Sequence, residues 1–151
     1  MRIETQYSIF MVNKPGMLAK VLNEFAEVKL NLVALTMMDT VEHGVMRVVA
    51  TSPKKVAKVL EKLNMPHSLT DVLCVTLPNS SGAMADVTKK LSESHINISY
   101  AYCTAGARGG RTSCILKVSD MNKAMKVLNG TSTTKATKSK AKVRRSPAAR
   151  R

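Results

Sequence analysis

The chain is poor in aromatic residues and contains no long apolar run. Its 151 residues include no Trp, 3 Tyr and 2 Phe, although 44% are hydrophobic, so a core must rely on Val, Leu, Ile, Met and Ala. The longest apolar run is far shorter than the roughly 18–20 residues that span a bilayer. The first ten residues also lack the apolar stretch of a secretory signal. We therefore expect a soluble, cytoplasmic protein that does not contact a membrane.

Residues that carry chemistry are few and scattered. Cys74, Cys103 and Cys114 lie far apart in strand-like apolar segments, and no CxxC spacing occurs, which argues against a zinc site or a redox pair. We expect all three to be buried reduced thiols, because cysteine is among the residue types most often buried. The three histidines are also dispersed. We therefore expect no metal site and no cofactor.

Basic charge is concentrated at the C-terminal end. Residues 135–151, KATKSKAKVRRSPAARR, hold eight Lys or Arg and no acidic residue, and without them the formal net charge falls from +14 to +6. We expect the Lys/Arg/Ala-rich tail at residues 131–151 to be disordered on its own. Such runs bind polyanions, including nucleic acid, with salt-sensitive affinity. The alternative is a solubilising extension without a binding role.

The sequence contains an internal duplication at an offset of 66 residues. Residues of matched chemical character recur over about fifty positions, which predicts two copies of one supersecondary unit. After these positions, an offset of 68 aligns Val59 and Leu60 with Val127 and Leu128. The matched pairs are Asn13 and Asn79, Gly16 and Gly82, Leu18 and Met84, Val21 and Val87, Phe25 and Leu91, Leu30 and Ile96, Asn31 and Asn97, Leu32 and Ile98, and Gly44 and Gly110.

Each copy presents strand and helix signals in the same order. YSIFMV at residues 7–12 predicts a strand, the NKPG turn follows, and apolar residues from Leu18 onward recur with helical spacing. LNLVALTMM and VMRVVA predict two strands, and Ser52 and Pro53 begin a second helix as N-cap and first-turn proline. SLTDVLCVTL at residues 68–77 then predicts a strand that closes the first unit and opens the second.

This order predicts an α+β fold of two ferredoxin-like βαββαβ units in tandem, with the helices on one face of antiparallel sheets. We assign residues 1–70 to the first domain and residues 71–130 to the second. The second unit has no clear last strand, since TSTT at residues 131–134 is only a weak candidate. We expect the missing strand to leave an edge that another chain covers, which favours a homodimer.

Several functions of this fold lack the residues they need. RNA recognition by a sheet uses aromatic residues on its middle strands, but here only Tyr100 and Tyr102, on one strand, are available. A metal carrier would place CxxC after the first strand, and a phosphatase an Arg, where this chain has NKPG and NSSG. No carboxylate pair or His–Ser–acid set converges. We therefore expect a protein that is not an enzyme.

The turn before the first helix of each unit is the remaining candidate site. A glycine turn there exposes backbone N–H groups at the positive end of a helix dipole, which suits a carboxylate. Asn31 or Asn97, at the start of the next strand, would add an amide, so that together these groups would recognise an amino acid. The alternative is that NKPG is only a helix entry and Asn31 only a turn residue that tolerates left-handed backbone.

The segment NKPGMLAKVLNEFAEVKLNLVAL resembles the start of an ACT domain, the small regulatory module that binds amino acids in many metabolic enzymes. MMDTVEHGVMRVVATSPKKVAKVL resembles its later strands and helix. The second unit, LPNSSGAMADVTKKLSESHINISYAYC, keeps the Gly and the I-N-I but not the Pro. The resemblance covers residues 5–129 and suggests the stand-alone tandem ACT proteins. It implies a non-catalytic regulatory protein whose domains pair side by side.

The same resemblance implies two ligand-binding loops, of which the first is favoured because NSSG lacks both the proline and the cation of NKPG. Two alternatives stay open: a structural subunit that activates a partner enzyme, and a polyanion binder whose ACT domains only dimerise. The first loop would be Asn13, Lys14, Pro15, Gly16, Met17 and Leu18, with Asn31 and Leu32 beside it. The second would be Ser80, Ser81, Gly82, Ala83 and Met84, with Asn97 and Ile98.

Overall fold

The computed structural model describes residues 1–39, 43–104 and 110–130, and in these it has six strands and four helices. None of these helices is long and apolar enough to cross a membrane. The weak strand candidate at residues 131–134 and the basic tail lie outside the described residues. The elements are β1 (Arg2–Val12), α1 (Met17–Glu27), β2 (Leu32–Asp39), β3 (His43–Ala50), α2 (Pro53–Lys62), β4 (His67–Pro78), α3 (Ala83–Glu93), β5 (Ile98–Cys103), β6 (Arg111–Val118) and α4 (Met121–Asn129).

All six strands belong to one sheet in the order β2-β3-β1-β4-β6-β5, with every neighbouring pair antiparallel. β4 is long enough to pair with β1 through residues 67–74 and with β6 through residues 73–78. The α+β fold with ferredoxin-like units is confirmed. The two units share one continuous sheet because β4 takes part in both.

β1 and β4 are equivalent strands of the two repeats, and they pair with each other in a symmetric register. Thr5 lies opposite Asp71, which is its own equivalent at the offset of 66 residues. Antiparallel pairing in this register relates the units by a local two-fold axis. Residues 2–5 therefore pair with residues 71–74, where a last strand of the second unit would lie. The prediction of an open edge in the second unit is wrong. β1 begins at Arg2, earlier than predicted, and its residues 2–5 cover that edge.

The repeat offset changes inside the hairpin that joins the two middle strands. The registers against β1 and β4 place Val48 and Leu116 at equivalent positions, an offset of 68, whereas β1 and β4 correspond at 66. The structural equivalent of Gly44 is therefore Thr112. The alignment of Gly44 with Gly110 is wrong by two residues, because the second unit gains its extra residues within this hairpin.

All four helices pack against one face of the sheet, which we call the helix face. Val21 and Phe25 of the predicted apolar stripe of α1 are buried there, with Phe25 only 2% exposed. Odd-numbered residues of β1 and β4 supply the strand side of two separate cores. The buried members of the first are Tyr7, Ile9, Met11, Val21, Phe25, Met46, Val48, Ala50, Val56, Val59 and Leu60. Those of the second are Leu73, Val75, Leu77, Val87, Leu91, Ile96, Cys114, Leu116, Val118 and Ala124.

The opposite face of the sheet is concave, and the two units touch across it. β2 contacts β6 over this face although three strands separate them in the sheet order, so the sheet is strongly curved. A third apolar cluster fills the contact and draws on both units. Its buried members are Ala34, Val49, Val72, Cys74 and Ile115, with Val33 and Tyr102 packed against them.

Candidate functional site

The turn before α1 has a backbone conformation that requires glycine. Gly16 is the N-cap residue with φ 88° and ψ −16°, in the left-handed region that other residues rarely adopt. The Lys14 amide donates to the Val12 carbonyl at 2.9 Å, and the Met17 amide donates to the Lys14 carbonyl at 3.3 Å. A Cβ atom at Gly16 would meet no atom within 4 Å, so the dihedral angle and not the space demands glycine.

The turn before α3 repeats this geometry without a proline. Gly82 has φ 87° and ψ −16°. The Ser80 amide donates to the Pro78 carbonyl at 2.9 Å, and the Ala83 amide donates to the Ser80 carbonyl at 3.3 Å. Pro15 of the first turn corresponds to Ser81 here. The proline is therefore not needed to form the turn.

The two helix N-termini differ in charge. The first turn of α1 has no acidic residue, whereas that of α3 contains Asp86. The repeat equivalent of Asp86 is Lys20. No hydrogen bond from the amides of Leu18 and Ala19 occurs within the described part of the chain. Because an acid at a helix N-terminus repels an incoming anion, the first turn suits a carboxylate better than the second.

A cavity of 340 Å³ adjoins the first turn. It lies between the end of β1, the start of α1 and the segment that follows α2. Met17 is the member of the predicted first loop that lines it. Most of the lining is apolar, and the polar side chains at its wall are those of His43 and Asn64. The lining residues are Phe10, Met11, Val12, Met17, His43, Leu63, Asn64, Met65 and Pro66.

A smaller cavity of 240 Å³ adjoins the turn of the second unit, on the side of β5 and β6. Three predicted residues, Ser80, Ala83 and Met84, line it. Its wall on β5 and β6 includes two threonines and two cysteines, so it is more polar than the first cavity. The lining residues are Leu77, Pro78, Asn79, Ser80, Ala83, Met84, Cys103, Thr104, Thr112 and Cys114.

The predicted asparagines do not lie beside the loop of their own unit. Asn31 and Leu32 follow the C-terminal end of α1, whose 11 residues rise about 16 Å from the turn at its start. The Asn31 carbonyl accepts from the Thr51 amide at 3.0 Å, at the far edge of the sheet. Asn97 and Ile98 line a separate, open cavity of 460 Å³. The structure thus separates each asparagine from the helix entry by the length of a helix.

A disulfide joins Cys103 and Cys114, and Cys74 is a buried free thiol. The prediction of three reduced thiols is therefore wrong for the pair. The two cysteines are eleven residues apart in the sequence, but the antiparallel pairing of β5 with β6 places them directly opposite each other. Burial raises the pKa of the Cys74 thiol. No group of three His, Cys, Asp or Glu that could hold a metal ion occurs in residues 1–39, 43–104 and 110–130.

Tyr100 and Tyr102 point into the concave face and join the two units. The Gln6 side-chain amide donates to the Tyr100 hydroxyl at 2.8 Å, and the Tyr102 hydroxyl donates to Gln6 Oε1 at 3.0 Å. The Arg47 guanidinium lies 3.9 Å from the centroid of the Tyr100 ring. Gln6 is fully buried, and burial raises the pKa of Tyr102. These rings are engaged in contacts between the units, so they do not form an open stacking platform.

Two βαββαβ units that share one sheet form a tandem ferredoxin-like module. The chain belongs to the family of ACT domain pairs, whose profile matches residues 1–136, so the predicted resemblance is confirmed. No curated protein matches it. Protein BT0572 from Bacteroides thetaiotaomicron has a similar crystal structure, with 31% sequence identity, a TM-score of 0.78, and coverage of 85% of this chain and 88% of that one.

Two more distant structures share the fold. The ligand-free regulatory subunit of aspartate kinase from Thermus thermophilus is 14% identical, with a TM-score of 0.63 over 86% of this chain and 97% of that chain. Aspartokinase III of E. coli, in complex with lysine and aspartate, is 18% identical, with a TM-score of 0.54 over 88% of this chain and 32% of that chain. The Thermus protein is a regulatory subunit.

Proposed function

We propose that this protein is a non-catalytic, cytoplasmic regulatory protein that binds an amino acid at the first of its two loops. Binding there would shift the protein, or a partner enzyme, between two states. The observation that carries the proposal is the coincidence, in the first unit alone, of a glycine turn, a helix N-terminus without an acid, and an adjoining apolar cavity. The complex of E. coli aspartokinase III with lysine and aspartate supports an amino acid as the ligand class.

The first turn provides a place for the α-carboxylate. Backbone N–H groups at the start of α1 point along the positive end of the helix dipole. Lys14 in the turn and Lys20 in the first helix add positive charge. The corresponding positions of the second unit are Ser80 and Asp86, which offer no cation. We therefore propose that the first loop binds more tightly than the second.

The adjoining cavity selects the side chain of the ligand. Its wall is built from the side chains of methionine, leucine, valine and phenylalanine, so burying an apolar group there is favourable by about 25 cal/mol per Å². Asn64 lies at its wall, and its side-chain amide can accept or donate a hydrogen bond. We propose an amino acid with an apolar side chain, such as leucine, isoleucine, valine, methionine or phenylalanine.

A thermal-shift screen of the full chain against the twenty amino acids tests this proposal. A ligand present at about 100 times its dissociation constant adds roughly 2.7 kcal/mol to the free energy of unfolding. We expect an apolar amino acid to raise the melting temperature, and the Lys20→Asp variant to lose most of that shift. The matched variant Asp86→Lys should keep it. No shift with any amino acid at millimolar concentration would contradict the proposal.

We also propose that the protein forms a homodimer through β2. This strand is one edge of the sheet and exposes Leu35 by 37%, Met37 by 41% and Met38 by 46%. Apolar side chains on an unprotected edge strand favour pairing with another chain. The double variant Met37→Glu, Met38→Glu should be monomeric by sedimentation. Leu69→Glu, which changes an apolar residue 59% exposed on an inner strand, should remain dimeric.

The basic segment at residues 135–151 supports a second candidate function, the binding of nucleic acid or another polyanion. Its eight Lys or Arg carry more than half of the net charge of +14. Each DNA phosphate contact would contribute a slope of about −0.9 to the logarithmic salt dependence of binding. Full-length protein and a variant with these eight residues changed to glutamine should differ in DNA affinity. Equal, negligible binding by both would remove this candidate and leave the amino-acid proposal untouched.

A further inference from the structure

We propose that Cys103 and Cys114 form a reversible thiol–disulfide switch that sets the conformation of the cavity in the second unit. Both residues line that cavity, opposite Ser80, Ala83 and Met84 on the turn and α3. The bond links β5, an edge strand of the sheet, to β6, which is an inner strand. Only the consequence for a ligand rests on the function proposed above; the switch itself can be tested on the protein alone.

The two cysteines differ in their exposure to solvent. Cys103 is exposed on the edge strand, whereas Cys114 is only 1% exposed and belongs to the second core. We therefore expect a small thiol to attack the sulfur of Cys103, the more exposed residue, with Cys114 as the leaving group. Access of this kind characterises disulfides that exchange, in contrast with staples buried on both sides.

The third cysteine does not compete for the bond. Cys74 lies on β4, directly opposite Ile115 of β6, and packs in the cluster on the concave face. Cys114 packs in the core on the helix face. The sheet thus separates the two thiols, and burial raises the pKa of Cys74, which makes its reactive thiolate scarcer. Exchange is therefore confined to Cys103 and Cys114.

The first unit lacks this device and provides an internal comparison. Its residues at the equivalent cross-strand positions are Met37 and Met46, which lie opposite each other in β2 and β3. In the first unit the equivalent pair of strands, β2 and β3, is therefore not joined by a covalent bond at this position. A change of redox state should therefore alter the second unit and leave the first unit unchanged.

The chemistry balances with glutathione as the reductant and its disulfide as the oxidant. A glutathione thiolate attacks the sulfur of Cys103, the bond between the two cysteines breaks, and Cys114 leaves as a thiolate that takes a proton from water. A second glutathione thiolate then attacks the mixed disulfide and releases Cys103 together with oxidised glutathione. Two electrons pass to the protein, and the reverse sequence returns them.

Reduction should loosen the wall of the second cavity. Without the bond, the end of β5 is held to β6 by main-chain pairing and by the hydrogen bonds between Thr104 and Ser113, at 2.9 and 3.0 Å. An edge strand has a sheet partner on one side only, so its end opens more readily than an inner strand. In the oxidised protein the bond holds this wall in place, and any ligand of the second cavity would bind to a more rigid site.

The first experiment measures the bond itself in the full-length protein. The protein is equilibrated with mixtures of reduced and oxidised glutathione, quenched with acid, alkylated and analysed by peptide mass spectrometry. We expect Cys103 and Cys114 to convert together and reversibly, with Cys74 remaining a thiol throughout. A pair that stays fully reduced in excess oxidised glutathione, or fully oxidised in excess reduced glutathione, would overturn the proposal.

The second experiment measures the effect on the cavity by hydrogen–deuterium exchange. On reduction we expect exchange in residues 79–84 and 98–104 to accelerate by about threefold or more, with residues 13–18 unchanged. A Cys103→Ser, Cys114→Ser variant should match the reduced protein and ignore the glutathione ratio, and Cys74→Ser should respond like the unchanged chain. Identical exchange in both redox states of the unchanged chain would overturn the switch even if the variants failed to fold.

Discussion

The turn at Gly16 and the turn at Gly82 agree in φ and ψ to within a degree, yet the helices they open carry Lys20 and Asp86 at the same position. The backbone of the repeat has been kept while the charge has reversed. The adjoining cavities also differ in polarity. The first is mostly apolar, whereas the lining of the second includes two threonines and two cysteines. The glycine in each turn is therefore required by the backbone conformation of the fold. The residues around it determine the charge and polarity of each site.

The concave face shows a second departure from symmetry. On one side of the local two-fold axis Gln6 bonds to Tyr100 and Tyr102, and Arg47 covers the ring of Tyr100. The equivalent positions on the other side are Val72, Ala34, Thr36 and Ile115, of which Val72, Ala34 and Ile115 lie together in the apolar cluster. One polar and one apolar contact thus hold the same two units together.

The largest expected effect comes from truncating the same core position in each unit. Phe25→Ala should lower the free energy of unfolding by about 3–5 kcal/mol, and its equivalent Leu91→Ala by about 2–5 kcal/mol, because both side chains are buried. Since the units share β4 and the concave face, each variant should still unfold in one transition during urea denaturation followed by circular dichroism. Two separated transitions in either variant would contradict the coupling of the units.

The next largest effect concerns the polar contact. Gln6→Val places the equivalent second-unit residue at this site and leaves two tyrosine hydroxyl groups without their partner. We expect a loss of about 1–3 kcal/mol in the free energy of unfolding. The triple variant with Tyr100→Phe and Tyr102→Phe removes both sides of each bond and should recover part of that loss. A triple variant less stable than the single one would show that these hydrogen bonds are not the cause.

The smallest expected effect distinguishes dihedral strain from packing. Gly16→Ala and Gly82→Ala should each cost about 1–2 kcal/mol, since a side chain at this positive φ is strained. A Cβ atom meets nothing within 4 Å at either position, so the two costs should be equal. Chemical denaturation of both variants measures them. A difference larger than the error would mean that one turn depends on a contact beyond the backbone.

Local patterns are sufficient to predict the repeat, the helices and the strands, because turn residues and apolar spacing depend only on residues that are close in the sequence. The missed features depend on residues distant in the sequence. Residues 2–5 of β1, RIET, continue the polar–apolar alternation of that strand, but the residues they pair with, 71–74, are distant in the sequence, so the prediction left the second unit without a last strand. The disulfide depends on the register of β5 with β6, which spacing between cysteines does not reveal.

The two cavities are lined by only some of the predicted loop residues. Of the predicted loop residues, Met17 lines the first cavity, and Ser80, Ala83 and Met84 line the second. Asn31 and Asn97 follow the ends of their helices, and the length of the helix carries them away from the turn. The far walls come from segments distant in sequence, such as Leu63 and Met65, which no pattern near the turn indicates.

The most direct test of amino-acid binding at the first loop is a titration of the uniformly ¹⁵N-labelled protein with leucine and methionine, monitored through the backbone amide resonances. We expect the largest shift changes at Gly16, Met17 and Leu18 and around the first cavity, with small changes at residues 82–84. Shift changes centred on the second turn, or no change at millimolar concentrations of these or any other amino acid, would contradict binding at the first loop.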